Sequence, residues 1–565
     1  MKKLNAILCA LLLGTTSVYA QQAGVQVEPV GVRNSMIRIS DDHKYLLLPV
    51  EEKAPESQVR MMSDANLVQT FTVRLAQDVV DYYMPLELEN YKGHKILLDI
   101  HEPDNGKGYG FLAQWKSQIR LSNEFDTSNI ERWRPIFHHT PPYAWMNDPN
   151  GMFYDDNTQT WHLYYQWGPY GSTWNNMTWR HSSSKDLISW TDEGVAIMPN
   201  ALGTIFSGSC VVDKENTAGF GAGAVIALYT AASESQRQCL AYSTDGGKTF
   251  QNYAGNPILA AGIPDFRDPN MFWNDEIKAW NLILAAGQEM RIYSSSNLKE
   301  WKEESRFGLG YGNHGGVWEC PDLMQIKVLD TQGRETGEKK WVLICNINPG
   351  GPWGGSATQY FVGTFDGHRF ICEDNAYEAK WMDYGKDHYA TVSFSGAPDN
   401  RHTVLAWMSN WEYADRVPTR QFRSSNSIAR DLFLYEVAGE TYLGSRPSPE
   451  YDGGKLNQYL KGADQTIKVT GSGSWDVSNT HGEKVTIEYD AKAMSLKVIR
   501  TQSGQQSFAP SFPAVTTAPV HRPLTSIRVI SDNASVEVFG NNGEVCLTNL
   551  VFPSEPLTKI TMTKK

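Results

Sequence analysis

Three carboxylates sit in short runs with unusual neighbours for acidic residues. Asp148 lies in Trp145-Met146-Asn147-Asp148-Pro149-Asn150-Gly151, and Asp268 in Asp265-Phe266-Arg267-Asp268-Pro269-Asn270. Glu319 lies in Val317-Trp318-Glu319-Cys320-Pro321-Asp322. Aromatic and proline neighbours hold a carboxylate rigid and partly dry, and Pro149 with Gly151 reads as a turn. Two carboxylates facing one glycosidic bond suffice to cleave it. One attacks the anomeric carbon or activates water, and the other protonates the departing oxygen. An apolar setting raises a carboxyl pKa, so Trp318 and Cys320 suit Glu319 to the acid role. Asn147 can donate to Asp148 and keep it ionised. Arg267 would keep Asp268 charged, suited to gripping hydroxyls while positive charge grows on a sugar ring.

Acids so far apart in the chain meet only if the fold repeats. Ser184-Lys185-Asp186-Leu187-Ile188-Ser189-Trp190 is echoed by Ser295-Ser296-Asn297-Leu298-Lys299-Glu300-Trp301. Ser243-Thr244-Asp245-Gly246-Gly247-Lys248-Thr249-Phe250 and Thr364-Phe365-Asp366-Gly367-His368-Arg369-Phe370 follow the same pattern. A period of roughly 50 to 70 residues with a polar turn and a closing aromatic is what four-stranded propeller blades produce. Four such turns and a last stretch to Arg430 suggest five blades; the competing reading is an array of β-sandwiches. The three acids stand about two repeats and one repeat apart, so a propeller would bring them to one central funnel.

The rest of the chain is also β-prone. From residue 25 to about 129, short runs such as Lys44 to Val50 and Lys95 to Ile100 are bounded by turn residues, with a helix-tolerant connector at Ala113 to Asp126. From about Leu432 onward, alternating runs such as Lys484 to Tyr489 and Ser526 to Ser531 suggest a β-sandwich. The expected fold is all-β: a small β-rich accessory domain over 21–130, a five-bladed propeller over 131–435, and a sandwich over 436–565.

The composition has 18 Trp, 26 Tyr, 21 Phe and a net charge of −12. Flat rings suit sugar faces, and an acidic chain without a basic block argues against nucleic acid or anionic membrane as partners. Residues 1–20 read as a signal peptide: Lys2 and Lys3, an apolar core containing Cys9, then Val18-Tyr19-Ala20. No later stretch is a membrane span, so an exported, periplasmic or extracellular protein is expected. Cys210, Cys239, Cys320, Cys345, Cys372 and Cys546 are scattered, without zinc spacing, and read mostly as buried thiols.

The runs around Asp148, Arg267-Asp268-Pro269 and Glu319-Cys320-Pro321 resemble the three signature motifs of glycoside hydrolase family 32, the fructan hydrolases and invertases. Tyr165-Gln166, Trp174, Asn176-Met177, Phe206-Ser207-Gly208-Ser209 and Trp407-Met408-Ser409-Asn410-Trp411 match as well. The resemblance runs from about Pro135 to the C-terminus. The stretch before it resembles an accessory domain ahead of levanase-like hydrolases of gut Bacteroidetes. The resemblance implies a propeller followed by a sandwich, a retaining mechanism, and no metal or cofactor. It implies Asp148 as nucleophile, Glu319 as acid/base and Asp268 as transition-state stabiliser. Trp145, Met146, Asn147, Gln166, Trp174, Phe206, Ser207, Arg267 and Trp411 would line the terminal-fructose subsite. The implied substrate is a levan- or inulin-type fructan or oligosaccharide, or sucrose, attacked from its end; endo attack and a non-catalytic fructan-binding protein are the alternatives. The run Ser243 to Phe250 also fits the Asp-box of sialidases, but no arginine cluster accompanies it. Trp167-Gly168-Pro169, Asn175 and Arg180 depart from the family pattern near the expected pocket.

Overall fold

The computed structural model describes residues 19–22, 24–104, 106, 112–128 and 131–564; the expected signal segment, with Cys9, lies almost wholly outside them. The chain is all-β and divides into two compact units, residues 1–126 and 127–565. In the first unit, the antiparallel strands Val25–Pro29, Asn34–Ile39, Ile96–His101, Ser57–Ser63 and Asn66–Val73 lie side by side in a sheet that Tyr19–Gln22 extends. Tyr82–Glu87, Tyr45–Val50 and Arg120–Ser122 form a second, three-stranded sheet. The helix-tolerant connector holds one turn of helix, Trp115–Gln118. The buried Trp115 donates its indole N–H to Glu102 at 3.0 Å.

The second unit carries the three motifs. Ala144–Asp155, Thr160–Gly168, Thr178–Ser184 and Trp190–Ile197 pair consecutively and antiparallel, and Phe422–Arg423 joins their inner edge in parallel. Thr204–Asp213 begins a four-stranded sheet that ends at Gln251–Asn252, and Phe266–Asn274 begins another that ends at Lys302–Phe307. Val317–Leu329, Glu335–Asn348, Ala357–Phe365 and Phe370–Cys372 repeat the pattern. Parallel pairing of Val328 with Leu434 fuses them to the strands Tyr389–Ser393, Thr403–Trp407, Arg430–Val437 and Glu440–Pro447. This last hairpin runs past residue 435, where the sequence put the end of the repeat.

Each sequence repeat is the connection between the third and fourth strand of a sheet. Ser184 Oγ accepts the amide of Leu187 at 2.8 Å, Ser243 Oγ that of Gly247 at 2.9 Å, and Ser295 Oγ that of Leu298 at 2.9 Å. Asp186, Asp245, Asn297 and Asp366 accept further turn amides, and so fix these tight loops from their own side chains. The final hairpin turns instead at Ala438 and Gly439, both at positive φ, which is why its sequence carries no repeat.

Residues 464–564 form two facing sheets, one ordered Asp464–Lys468, Ser526–Asp532, Ser535–Gly540, Val545–Leu550, the other spanning Val515–Pro519 to Lys559–Lys564. Alternate residues such as Trp475, Ile487, Val498, Val529 and Leu547 fill one core between them. The six cysteines among the described residues are free, and all but Cys372 are buried.

A buried ionic network ties the repeat to the C-terminal sheets. His138 donates from Nδ1 to Asp532 and from Nε2 to Glu537, both at 2.8 Å. Arg430 bonds Asp383 at 2.8 Å and also reaches Glu537. Burial opposes a charged imidazole, but the two carboxylates prevail and lift the His138 pKa to about 9. A raised histidine stabilises fully below its ordinary value of 6.5, and the contribution is lost as pH rises through about 9. Removing one partner of such a network costs about 3–5 kcal/mol. Urea unfolding of His138→Gln should therefore show a loss of that order at pH 6. Its stability should change less than that of the native protein between pH 6.5 and 9; parallel pH profiles would refute the charged-imidazole account.

Candidate active site

The three motifs lie inside strands, at breaks in their pairing. Trp145 to Gly151 is not a turn: it is part of the twelve-residue strand Ala144–Asp155. The register slips between Met146 and Pro149, between Arg267 and Asn270, and between Glu319 and Asp322. Proline can donate no ladder hydrogen bond, so Pro149, Pro269 and Pro321 suit these bulges, and a bulge re-aims the side chains beside it. Asp268 and Cys320 take positive φ, 63° and 41°. Gly151 is obligatory for a different reason: at φ 55°, a Cβ there would stand 2.8 Å from the Trp179 ring.

Aligned on their prolines, the motifs are offset by one. Asp148, Asp268 and Cys320 are equivalent, and so are Asn147, Arg267 and Glu319. The first set meets around the Cys320 thiol, 3.5 Å from Asp148 Oδ2 and 3.6 Å from Asp268 Oδ2; the Cys320 amide donates to Asp268 at 2.9 Å. Of the second set, Arg267 and Glu319 meet: Nη2 and Nε of Arg267 donate to Glu319 Oε1 at 2.8 and 3.1 Å, while Asn147 turns to Asp148 and Trp145. Arg267 also bonds Asp265 at 2.6 Å and Gln236 at 3.2 Å, and stands 3.9 Å from Asp268. Asp148, Asp268 and Glu319 thus form one cluster.

The neighbours that matter are not the ones adjacent in sequence. Trp318 turns away into the core, stacked on His314 and bonded to the Asn313 carbonyl at 2.8 Å. The Glu319 carboxylate is flanked by Arg267 and by the Tyr389 hydroxyl, which donates to Oε2. Asp148 accepts from Asn147 at 3.0 Å and Ser207 at 2.8 Å. Burial nevertheless raises its pKa, and the charge of Glu319 adds to the rise; the Asn147, Ser207 and Cys320 donors pull the other way and are outweighed. Asp268 is pushed up to about 7 by burial; Arg267 opposes this, while Glu319 and Asp148 reinforce it. Arg267 alone does not keep it in the ordinary carboxylate range. Burial, then Asp268 and Asp148, lift the Cys320 thiol far above its usual value, so it stays protonated and acts as a donor.

Of the other expected residues, Trp145 bonds Asn147 Oδ1 at 2.8 Å and stacks on Trp411 with ring centres 5.8 Å apart. Trp174, 42% exposed, stands edge-on to Phe206 at 5.8 Å. Gln166 is buried and its side-chain nitrogen has no partner among the described residues, which leaves a donor for a ligand. Met146 is fully buried, and strand alternation turns it from the face shared by Trp145 and Asn147. Among the departures from the family pattern, Arg180 is buried against the buried Trp167, 4.3 Å from its ring centre, and bonds Asp192 at 2.7 Å. Tyr389 went unread in the sequence because no acidic motif marks it. Its signal would have been its place one repeat beyond Glu319.

The family model for the glycosyl hydrolases family 32 N-terminal domain matches residues 138–447, and that for the family 32 C-terminal domain matches residues 461–565. The chain belongs to glycosyl hydrolase family 32. Residues 31–137 match a domain of unknown function, DUF4980. The hydrolase is 40% identical to a levanase of Bacillus subtilis over 75% of this chain and 67% of that one. It is 37% identical to an extracellular exo-inulinase of Meyerozyma guilliermondii, over 75% and 90% of the two chains. The crystal structure of exo-inulinase from Aspergillus awamori superposes with a TM-score of 0.70 at 31% identity, covering 78% of this chain and 96% of that one. These structural neighbours have a β-propeller plus β-sandwich fold. Among the described residues, no His, Cys, Asp or Glu group could hold a metal, and no helix is long and apolar enough to cross a membrane.

The donors around Asp148 make a test of the electrostatics. Ser207 favours the ionised form, so Ser207→Ala should raise the Asp148 pKa further and move the acidic limb of the kcat/KM profile to higher pH. An unmoved limb would mean that Asp148 does not set it.

Proposed function

We propose that this hydrolase cleaves β-fructofuranosidic bonds of fructans and sucrose by a retaining mechanism, from the chain end, releasing fructose. The observation that carries this is the cluster of Asp148, Asp268 and Glu319 around Cys320 and Arg267. Asp148 attacks the anomeric carbon while Glu319 gives a proton to the departing oxygen, leaving a fructosyl ester on Asp148. Glu319 then takes a proton from water, which releases fructose and restores Asp148. Asp268 accepts hydroxyls of the fructosyl ring, and its interaction grows as the ring becomes oxocarbenium-like. Arg267 and Tyr389 hold the Glu319 carboxylate from both oxygens, so the acid keeps one orientation through both steps. Trp145, Asn147, Gln166, Trp174, Phe206, Ser207 and Trp411 bound the fructosyl subsite, with Met146 supporting from behind the strand.

We also read the repeat as five blades. Five strands break register at corresponding points, including Phe206/Gly208 and Tyr389/Val392, and hydrogen bonds link them in a ring. Ser207 reaches Asp148, Ser209 accepts from Met271, Cys320 donates to Asp268, Ser393 donates to Asp322, and Ser395 bonds Met152. The nine-stranded sheet is then two blades joined at Val328–Leu434, and the propeller ends near Pro447. Residues 1–20 would direct export, in keeping with the extracellular exo-inulinases among the relatives. The levanase-like accessory stretch and the levanase relative favour levan as the preferred fructan.

Asp148→Ala and Glu319→Ala should each abolish fructose release from sucrose, levan and inulin while the circular dichroism spectrum is unchanged. Near-normal turnover by either would overturn the assignment. Release of monosaccharide only, by chromatography of early digests, is expected; a ladder of oligosaccharides would make the enzyme endo-acting. Tyr389→Phe removes one donor from Glu319 and should lower kcat roughly 10- to 100-fold with KM little changed, the scale of one hydrogen bond to a charged group.

A further inference from the structure

Of the 18 tryptophans, Trp174, Trp273 and Trp353 are exposed. Trp174 stands against Phe206, and Trp273 bonds Asp275 and meets Trp280 edge-on. Trp353, 37% exposed, has no hydrogen bond and no ring contact among the described residues. A single exposed ring needs no explanation in itself. The place of this one does.

Strand register fixes that place. Glu319 pairs with Asn346, and Val317 with Asn348, so Glu335–Asn348 leaves its sheet at the end that carries the acid. The loop from Pro349 to Ser356 follows at once. Two strand residues, about 7 Å, separate the level of Glu319 from the start of that loop. Glu319 must touch the glycosidic oxygen, so the first sugar of the leaving group fills this interval. The second comes level with the loop.

The loop is also stiff. The Gly351 amide donates to the Gly355 carbonyl at 2.9 Å, and the Gly354 amide to the Gly351 carbonyl at 3.1 Å. Its far side is clamped to the segment that supplies the pocket wall. Asn410 Nδ2 donates to the Gly354 carbonyl at 3.3 Å, and the Trp411 amide donates to Ser356 Oγ at 3.2 Å. A Cβ at Gly355 would stand 2.0 Å from Asn410 Oδ1, so glycine is what lets loop and wall approach this closely. Trp411 in turn stacks on Trp145. Trp353 is therefore carried on a loop already fixed to the fructosyl subsite, and a ligand meeting it has little backbone left to order.

We propose that Trp353 is the platform for the second sugar ring beyond the scissile bond, and that it makes the enzyme favour fructan chains over sucrose. The inference rests on the proposed fructan-hydrolase reading. The flat indole offers its face to the apolar C–H side of a sugar. Sucrose places a single ring beyond the bond and leaves this platform empty, whereas a fructan chain covers it. The contact contributes to kcat/KM for the longer substrate alone.

Trp353→Ala and Trp353→Phe test this, with kcat/KM measured on sucrose and on linear fructotriose of each linkage. The ratio of fructotriose to sucrose should fall roughly five- to tenfold in the alanine variant, the scale of one aromatic stack. It should stay near the native ratio in the phenylalanine variant, which keeps a ring. In the inactive E319Q background, adding Trp353→Ala should weaken fructotriose binding by a similar factor in calorimetry. An unchanged ratio in Trp353→Ala, or equal losses on sucrose and fructotriose, would overturn the proposal. A native enzyme that releases fructose from no substrate would instead sink the hydrolase reading, and calorimetry would still decide whether Trp353 holds a sugar.

Discussion

Three carboxylates cluster where only one half-buried guanidinium stands, and the site depends on that imbalance. Arg267 is kept charged because the attraction of Glu319 and Asp268 outweighs its burial. It can neutralise only one negative charge, and its shortest contacts with the cluster go to Glu319. Asp148 and Asp268 are left in a poorly solvated space with like charges nearby, and both hold protons more readily than an exposed aspartate. The cluster as a whole therefore carries a proton easily, and the hydrogen bonds decide how it is distributed. Asn147, Ser207 and the Cys320 thiol favour charge on Asp148, the group that must attack. Arg267 and Tyr389 set the position of the group that must give and take a proton.

Local backbone irregularity makes that crowding possible. A regular strand would send neighbouring side chains to opposite faces. The bulges beside Asp148, Asp268 and Glu319 break the alternation, so two successive residues from each strand serve one site. One layer collects Asp148, Asp268 and Cys320, and beside it Arg267 meets Glu319 while Asn147 supports Asp148. The one-residue offset places the acid beside the arginine instead of beside another aspartate. Strain at the positive φ of Asp268 and Cys320 is held in place by the Thr230 hydroxyl on the Asp268 amide and by the Cys320 amide on Asp268.

The scaffold keeps this arrangement stiff by burying more than apolar surface. Serine and aspartate side chains close the outer turns of the repeat. Between the repeat and the C-terminal sheets, His138, Arg430, Asp383, Asp532 and Glu537 satisfy one another in a water-poor interface. An interface of this kind resists sliding, since any displacement leaves a buried charge unpaired. The His-rich run before the first motif thus reads as structural: His138 bridges two carboxylates, and His139 bridges Asn426 and Ser182.

The linear order of residues determined the all-β character, the three acids, and the turn repeats that made a propeller the natural expectation. These signals are local: a turn must carry its own capping oxygen, and a strand its own alternation. The same local logic misread the first motif as a turn, because Pro and Gly mark bulges as well as turns. It also credited Trp318 and Cys320 with the environment of Glu319. Only the tertiary structure decided that Trp318 faces the core, that Cys320 serves the two aspartates, and that Arg267 and Tyr389 surround the acid. It likewise placed Arg180 over the Trp167 ring. These relations join residues many positions apart, and a carboxylate's proton affinity is set by whatever lies within a few ångströms, a distance the order of the chain does not encode.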